Sequence, residues 1–257
     1  MVDGRAHARS VTSKVVALLD AFGPGSPQLT LNELSARTGL PLSTAHRLVT
    51  ELVEWGGLER CEGAGYRIGL RMWEIGSLAP RGESLRDVAL PVMQDLYEGT
   101  KENVHLAVRQ DTQALYLDKI HGPAALPVKS RRGGRLPLHA TGVGKVLLAY
   151  APEELRARVL AGELPRYTRH TIVEPGRVVR MLDEVRNTGI AFAYEELTVG
   201  SLSVAAPIRD ASGEVVAALD VVLHTAGGHP DRLALAVRTA AISISRALRD
   251  RQVGQRG

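Results

Sequence analysis

The sequence predicts an α+β protein in two parts, and three observations predict it. Between residues 30 and 52 a capping-box spacing, a helix-ending glycine and a second amphipathic run follow one another. Two short strand-like runs around a glycine-containing turn come next, at 58–68. Beyond residue 87, runs of period two and period 3.6 are mixed and some strands are joined by tight turns, which implies antiparallel hairpins with segregated helices rather than a doubly wound sheet.

The elements of the first part follow in order. Val11, Val15, Leu18, Leu19 and Phe22 recur at helical spacing and predict a first helix. Thr30 and Glu33 stand in T-x-x-E spacing, so a second helix should begin near Leu31. Gly39 can take the left-handed conformation that closes it, Leu40 is left to plug the corner, and Pro41 suits the first turn of the next helix. There Ala45, Leu48, Val49 and Leu52 form one apolar stripe, which turns Ser43, Thr44, His46, Arg47 and Thr50 outward. Hydroxyls and an arginine on such a face suit a reader of the DNA major groove; an ordinary helical hairpin with a solvated face is the alternative. Leu58–Cys61 and Tyr66–Ile68, around Glu62–Gly65, then make a wing. Three helices and a wing form a winged helix-turn-helix, which shifts the balance toward DNA. Arg67 is placed for a phosphate or the minor groove, and Arg5, His7 and Arg9 form a short basic arm with the same use; a solvated Arg67 and a loose arm are the alternatives.

Charge adds a condition. Through Pro80 there are eight basic and eight acidic residues, so the net +4 of the chain lies outside the candidate DNA-binding part. Affinity from one copy should be modest, because counterion release scales with the phosphates neutralised. Two copies on a two-fold site repair this, which predicts a dimer.

At 257 residues the chain has room for two cores, and 44% hydrophobic with 23% charged residues are globular values. No apolar run is long enough to span a bilayer, no apolar core follows the basic residues of the N-terminus, and Cys61 is the sole cysteine. A cytoplasmic protein without disulfides or membrane partner is expected. Aromatics at 4% argue against stacking on single-stranded nucleic acid.

Residues 1–69 are read as the winged domain, 70–86 as a linker helix and linker, and 87–257 as the second domain. Met72–Leu78 suits a short helix, and Pro80–Ser84 interrupts the pattern. Val88, Val92, Met93 and Leu96 have helical spacing; Val104, Leu106 and Val108, then Leu115 and Leu117, alternate as half-buried strands do. Helices are expected at 141–150, 152–160, 175–188 and 230–251, and strands at 190–194, 202–209 and 214–223.

Candidate chemistry is sparse. Thr141–Lys145 (TGVGK) fails as a phosphate loop, since His139 stands where its first glycine belongs and Val146 where the magnesium-binding hydroxyl belongs. It reads as a glycine turn into a helix start, whose free amides suit an anion, or as a close-packed turn. No histidine pair has the i, i+4 spacing of a metal site, and His139 and His224 read first as structural. No nucleophile elbow or nucleophile–base pair is visible, so no enzyme, metal or cofactor is expected. A small-metabolite enzyme with an N-terminal dimerisation domain is the competing class.

The segments Gly39–Arg47, Arg135–Lys145 and Val204–Gly213, in this order, resemble the IclR family of bacterial transcriptional regulators over nearly the whole chain. The resemblance implies an operator-binding N-terminal domain, a GAF-like C-terminal domain that binds a small effector, and dimers or tetramers that control catabolic operons as repressor or activator. It assigns DNA reading to Ser43, Thr44 and Arg47. For the effector it implies Leu136, Gly142, Val143, Ala193, Ser201, Ser203, Asp220 and Val222, with Ala125 a weaker match. Members often carry a cysteine at the position of Ser203, an acidic pair at Ala193-Tyr194 and a serine at Asp220. These departures imply a pocket unlike that for small keto acids. A buried Asp220 repels a carboxylate unless protonated or paired and suits a hydroxyl or amine donor. The expected effector is therefore a hydroxylated aromatic or sugar-derived catabolite, its apolar part on Leu136 and Val143.

Overall fold

The computed structural model describes residues 10–254 except 24, 79, 124 and 228. The basic arm of Arg5, His7 and Arg9 lies outside the described residues. The chain divides into two compact units after Pro80.

The first unit contains α1 (Val11–Asp20), β1 (Gln28–Thr30), α2 (Leu31–Thr38), α3 (Leu42–Glu54), β2 (Leu58–Arg60), β3 (Gly65–Ile68) and α4 (Leu70–Ser77). The capping box forms as its spacing predicts: the Glu33 amide donates to Thr30 Oγ1 at 3.3 Å, and the Thr30 amide donates to Glu33 at 2.7 Å. Gly39 closes α2 with φ of 68°, a conformation that favours glycine. Leu40 is buried in the corner beside Leu18, Leu34, Ala45, Leu48, Val49 and Leu52. Strand β1, which sequence reading missed, pairs with β3 and makes the wing three-stranded in the order β1-β3-β2. At three residues it is too short to show an alternation of its own.

The second unit contains α5 (Pro80–Thr100), β4 (Asn103–Gln110), β5 (Gln113–Ile120), β6 (Arg135–Pro137), α6 (Gly142–Ala149), α7 (Glu153–Ala161), α8 (Pro175–Thr188), β7 (Ala191–Tyr194), β8 (Ser201–Arg209), β9 (Val215–His224) and α9 (Pro230–Gly254). The residues read as a linker, Pro80–Ser84, are instead the first turns of α5. A proline at a helix start forfeits no intrahelical bond, so its breaking signal does not apply there.

One antiparallel sheet in the order β6-β5-β4-β9-β8-β7 organises this unit. Period-two alternation sorts its side chains onto two faces. Val104, Leu106, Leu202, Val204, Ala206, Leu219 and Val221 pack with Met93 of α5 and with Val237 and Ile244 of α9. On the other face Ala107, Ala205 and Ala218 pack with Val143, Val146 and Leu147 of α6 and with Val178, Leu182 and Val185 of α8. Three small residues at the sheet let α6 lie close against it. Beyond that contact the same strands turn polar side chains to this face, and a cavity forms there.

Candidate functional site

On α3 the apolar stripe is buried as its spacing requires, and Ser43, His46 and Arg47 are exposed with Thr44 and Thr50 half-buried. Thr50 donates its hydroxyl to the His46 carbonyl at 2.9 Å, which leaves its lone pairs to face outward. Arg47 pairs with Glu51 one turn along at 2.6 Å, with both side chains more than half exposed. An exposed pair of this kind contributes about 0–1 kcal/mol, so Arg47 can exchange Glu51 for a base or phosphate at little cost. Arg67 is exposed to solvent but not free. Across the wing it pairs with Glu59 at 2.8 Å, and Glu59 also accepts the Leu70 amide at 3.0 Å. The hydrogen bonds from Arg67 and Leu70 hold the Glu59 carboxyl below its usual range.

The cavity of the second unit has about 390 Å³ of empty space, counted to the atom surfaces and including its open mouth. One side carries a hydrogen-bonded chain of four buried residues. His105 on β4 and Asp220 on β9 face each other directly in register, and Ser203 on β8 lies diagonally across from Asp220. His105 Nδ1 meets Asp220 Oδ1 at 2.7 Å, Ser203 Oγ donates to Asp220 Oδ2 at 2.7 Å, and Ser130 Oγ meets His105 Nε2 at 2.8 Å. A carboxylate only accepts, so His105 carries its proton on Nδ1; a neutral ring then takes the Ser130 proton at Nε2. Both hydroxyl protons are thereby spent inside the chain, and Ser130 and Ser203 present lone pairs to the cavity.

The surroundings hold this arrangement in place. The Tyr116 ring meets the His105 ring edge-on at 5.4 Å. Burial, reinforced by the negative charge of Asp220, pushes the Tyr116 phenol well above its usual range, so it stays protonated. Lys119 Nζ donates to the Ser130 carbonyl at 3.3 Å, and burial lowers its pKa. Thr141 caps α6 by accepting the Gly144 amide at 3.1 Å. The two glycines of TGVGK serve close packing: a Cβ at Gly142 would overlap Ser203 Oγ, and one at Gly144 would overlap Thr141 and the Leu138 backbone.

A buried ion pair stands behind the wall. Lys145 Nζ donates to Glu196 and, at 2.9 Å, to the Phe192 carbonyl. Both charged side chains are at most 5% exposed, and Glu196 also lines the cavity. Desolvation lowers the Lys145 pKa, opposed by the Glu196 charge. Glu195, beside it, adopts a φ of 54°, a costly conformation for a residue with a side chain.

Of the residues expected at an effector site, Leu136, Gly142, Ala193, Ser201, Ser203, Asp220 and Val222 line this cavity. Ala125 and Val143 do not: Val143 is fully buried in the core between α6 and the sheet, and Ala125 sits in the loop after β5. Asp220 is buried, as required, but both its oxygens are occupied by His105 and Ser203, so it orients other groups rather than meeting a ligand itself. His139 Nε2 bonds the Pro165 carbonyl at 3.0 Å, a structural contact, and His224 lies at the exposed end of β9. Sequence reasoning missed His105, Tyr116, Ser130 and Glu196, and with them the hydrogen-bonded chain that joins Ser130 through His105 to Asp220. The available signal was His105 itself, a polar residue between Val104 and Leu106 that the alternation turns to the opposite face.

Comparison with known proteins agrees with both units. Residues 11–61 match the IclR helix-turn-helix domain, and 81–246 match the bacterial transcriptional regulator IclR C-terminal domain. The HTH-type transcriptional regulator KipR of Bacillus subtilis is 33% identical over 239 residues, 91% of this chain and 95% of its own. The HTH-type transcriptional regulator XynR of Escherichia coli is 31% identical, over 91% of this chain and 95% of its own. Among solved structures, an IclR homologue from Microbacterium hydrocarbonoxydans complexed with 4-hydroxybenzoate is 35% identical, with a TM-score of 0.88 over 93% of this chain and 99% of that one. The IclR of Thermotoga maritima is 29% identical, with a TM-score of 0.75 over 92% and 98%. With family models covering both units and relatives matched over nearly their full length, the chain belongs to the IclR family of bacterial transcriptional regulators.

Proposed function

We propose that this protein binds operator DNA as a homodimer or homotetramer and senses a hydroxylated aromatic acid in the cavity of its second unit, thereby controlling a catabolic operon. Ser43, Thr44, His46, Arg47 and Thr50 of α3 read the major groove, and Arg67 of the wing reaches the backbone by releasing Glu59. No described helix is long and apolar enough to cross a membrane, and the protein acts in the cytoplasm, where its operator lies.

The observation that carries the ligand assignment is the polar chain. Both Asp220 oxygens are held by His105 and Ser203, so this end of the cavity offers a ligand no free carboxylate oxygen. With the hydroxyl protons of Ser130 and Ser203 spent inward, that end accepts a hydroxyl donor. Leu136, Ala140, Ala193 and Val222 supply apolar wall for a ring, and Lys129 at the mouth faces the ligand's carboxylate. A phenol at one end and a carboxylate at the other describe 4-hydroxybenzoate, the compound bound by the Microbacterium neighbour.

Purified full-length protein should enrich a short near-palindrome from fragmented genomic DNA at near-physiological salt. In a thermal-shift titration 4-hydroxybenzoate should raise its melting temperature more than benzoate does, since only the former supplies the donor. Absence of any enriched sequence would remove the operator reading. Equal shifts by the two acids would remove the role given to the serine lone pairs.

A further inference from the structure

Ser130, His105 and Asp220 stand in the order nucleophile, base and orienting acid, at 2.8 and 2.7 Å. The chain positions 105, 130 and 220 come from β4, from the loop between β5 and β6, and from β9. This is the general signature of an activated serine: a hydroxyl within reach of a base that is itself held by a third group. The His105 ring is fixed on three sides, by Asp220, by Ser130 and by the edge contact of Tyr116. Asp220 is fixed in turn by Ser203. Ser130 is buried but lines the cavity. Gly142, the first residue of α6, is in the same wall; Thr141 takes the amides of Gly144 and Lys145, and those of Gly142 and Val143 have no partner within the helix. Such amides are donors of the kind that steady an oxyanion.

We propose that Ser130 is an acyl-accepting nucleophile and that this cavity, taken above as the effector site, also reacts with small activated esters, aryl esters above all. Ser130 Oγ attacks the ester carbonyl carbon while His105 Nε2 takes the hydroxyl proton, and Asp220 balances the imidazolium. The bond from carbonyl carbon to aryloxy oxygen breaks, and His105 returns the proton to the departing aryloxide, which leaves as a phenol. The acyl group stays on Ser130. Water then attacks the acyl-serine with His105 again as base, releasing a carboxylic acid and restoring the hydroxyl. No oxidant, metal or cofactor enters this sequence. A phenol leaving Ser130 is the same group that the sensor reading places against its lone pairs.

The test uses full-length protein, p-nitrophenyl acetate and a fluorophosphonate probe. Wild-type protein should release p-nitrophenol, and peptide mapping should place one acetyl or phosphonyl group on Ser130. Ser130→Ala should remove that modification. His105→Gln should slow it by about 100-fold or more, the usual worth of a positioned general base. Melting curves of each variant establish that it is folded, and Ser130→Ala, a loss of one oxygen, keeps the test open if His105→Gln is not. An unmodified Ser130 in folded wild-type protein would overturn the proposal, as would modification at full rate in folded His105→Gln. Operator retention on the same preparation separates the two readings: failure of acylation with DNA binding intact removes this inference alone.

Discussion

The exposed face of α3 and the polar wall of the cavity use similar side chains under opposite conditions. On α3 Arg47 and Glu51 form an ion pair that is 59% and 56% exposed; in the cavity His105 and Asp220 are 1% and 2% exposed. Water competes for the first pair, which is therefore weak and replaceable, the property a DNA reader needs. Water is excluded from the second, so each group depends on its particular partner and holds one geometry. Exposure makes a surface exchangeable, and burial makes a site specific.

The largest expected effect lies on the buried side. Lys145→Met leaves Glu196 charged and without its partner in the wall, and should cost about 3–5 kcal/mol in urea denaturation. Lys145→Met combined with Glu196→Leu should recover a large part of that, because no lone charge then remains. A single variant no less stable than the wild type would show that burial does not separate the two regions.

Asp220→Ala comes next. It strips His105 Nδ1 and Ser203 Oγ of their acceptor at once, with an expected loss on the order of 2–3 kcal/mol. It should also weaken 4-hydroxybenzoate binding, although Asp220 does not touch the ligand, because the two serines lose their orientation. Unchanged affinity, read by calorimetry, would remove the chain from ligand recognition.

Arg47→Ala sharpens the contrast from the exposed side. Stability should move by less than about 0.5 kcal/mol, whereas specific operator binding should weaken by about 1–3 kcal/mol if Arg47 pairs with a base. Equal losses on operator and random DNA would assign it to a phosphate instead.

The smallest effect is a pH dependence. Burial lowers the His139 pKa from its usual 6.5, opposed by its bond to the Pro165 carbonyl. The unfolded chain therefore takes up a proton near 6.5 that the folded chain refuses, and stability falls as pH drops through that value. His139→Asn should flatten this part of the stability profile while leaving the slope below pH 5, set by carboxylates, in place.

The same comparison explains what was legible in the sequence. The reading head is built from local rules: the Thr30–Glu33 cap, Gly39 and the stripe of α3 are each set within a few residues, and all are found in the structure. The wing's extra strand escaped because three residues, Gln28–Thr30, are too few to tell an alternation from a loop. The helix from Pro80 escaped because a proline signals a break and a helix start alike. The cavity depends on register. His105 and Asp220 are 115 positions apart, and no local pattern pairs them; family resemblance reached cavity residues of β6, β7, β8, β9 and α6 but not His105 of β4, Tyr116 of β5 or Ser130 of the loop between β5 and β6. Val143 was misplaced because its neighbour Gly142 does line the cavity, and one step along a helix turns a side chain by about 100°.

The central claim is that occupancy of the cavity and reading of the operator are linked within one protein. Fluorescence anisotropy of the selected operator, titrated with protein with and without saturating 4-hydroxybenzoate, measures that linkage directly. The expected result is a change in operator affinity of about 5–150-fold, the range of ordinary allosteric coupling, which Ser203→Ala abolishes while ligand-free DNA binding stays the same. Identical operator affinity with the ligand demonstrably bound would contradict it, since a ligand that favours neither state shifts no equilibrium.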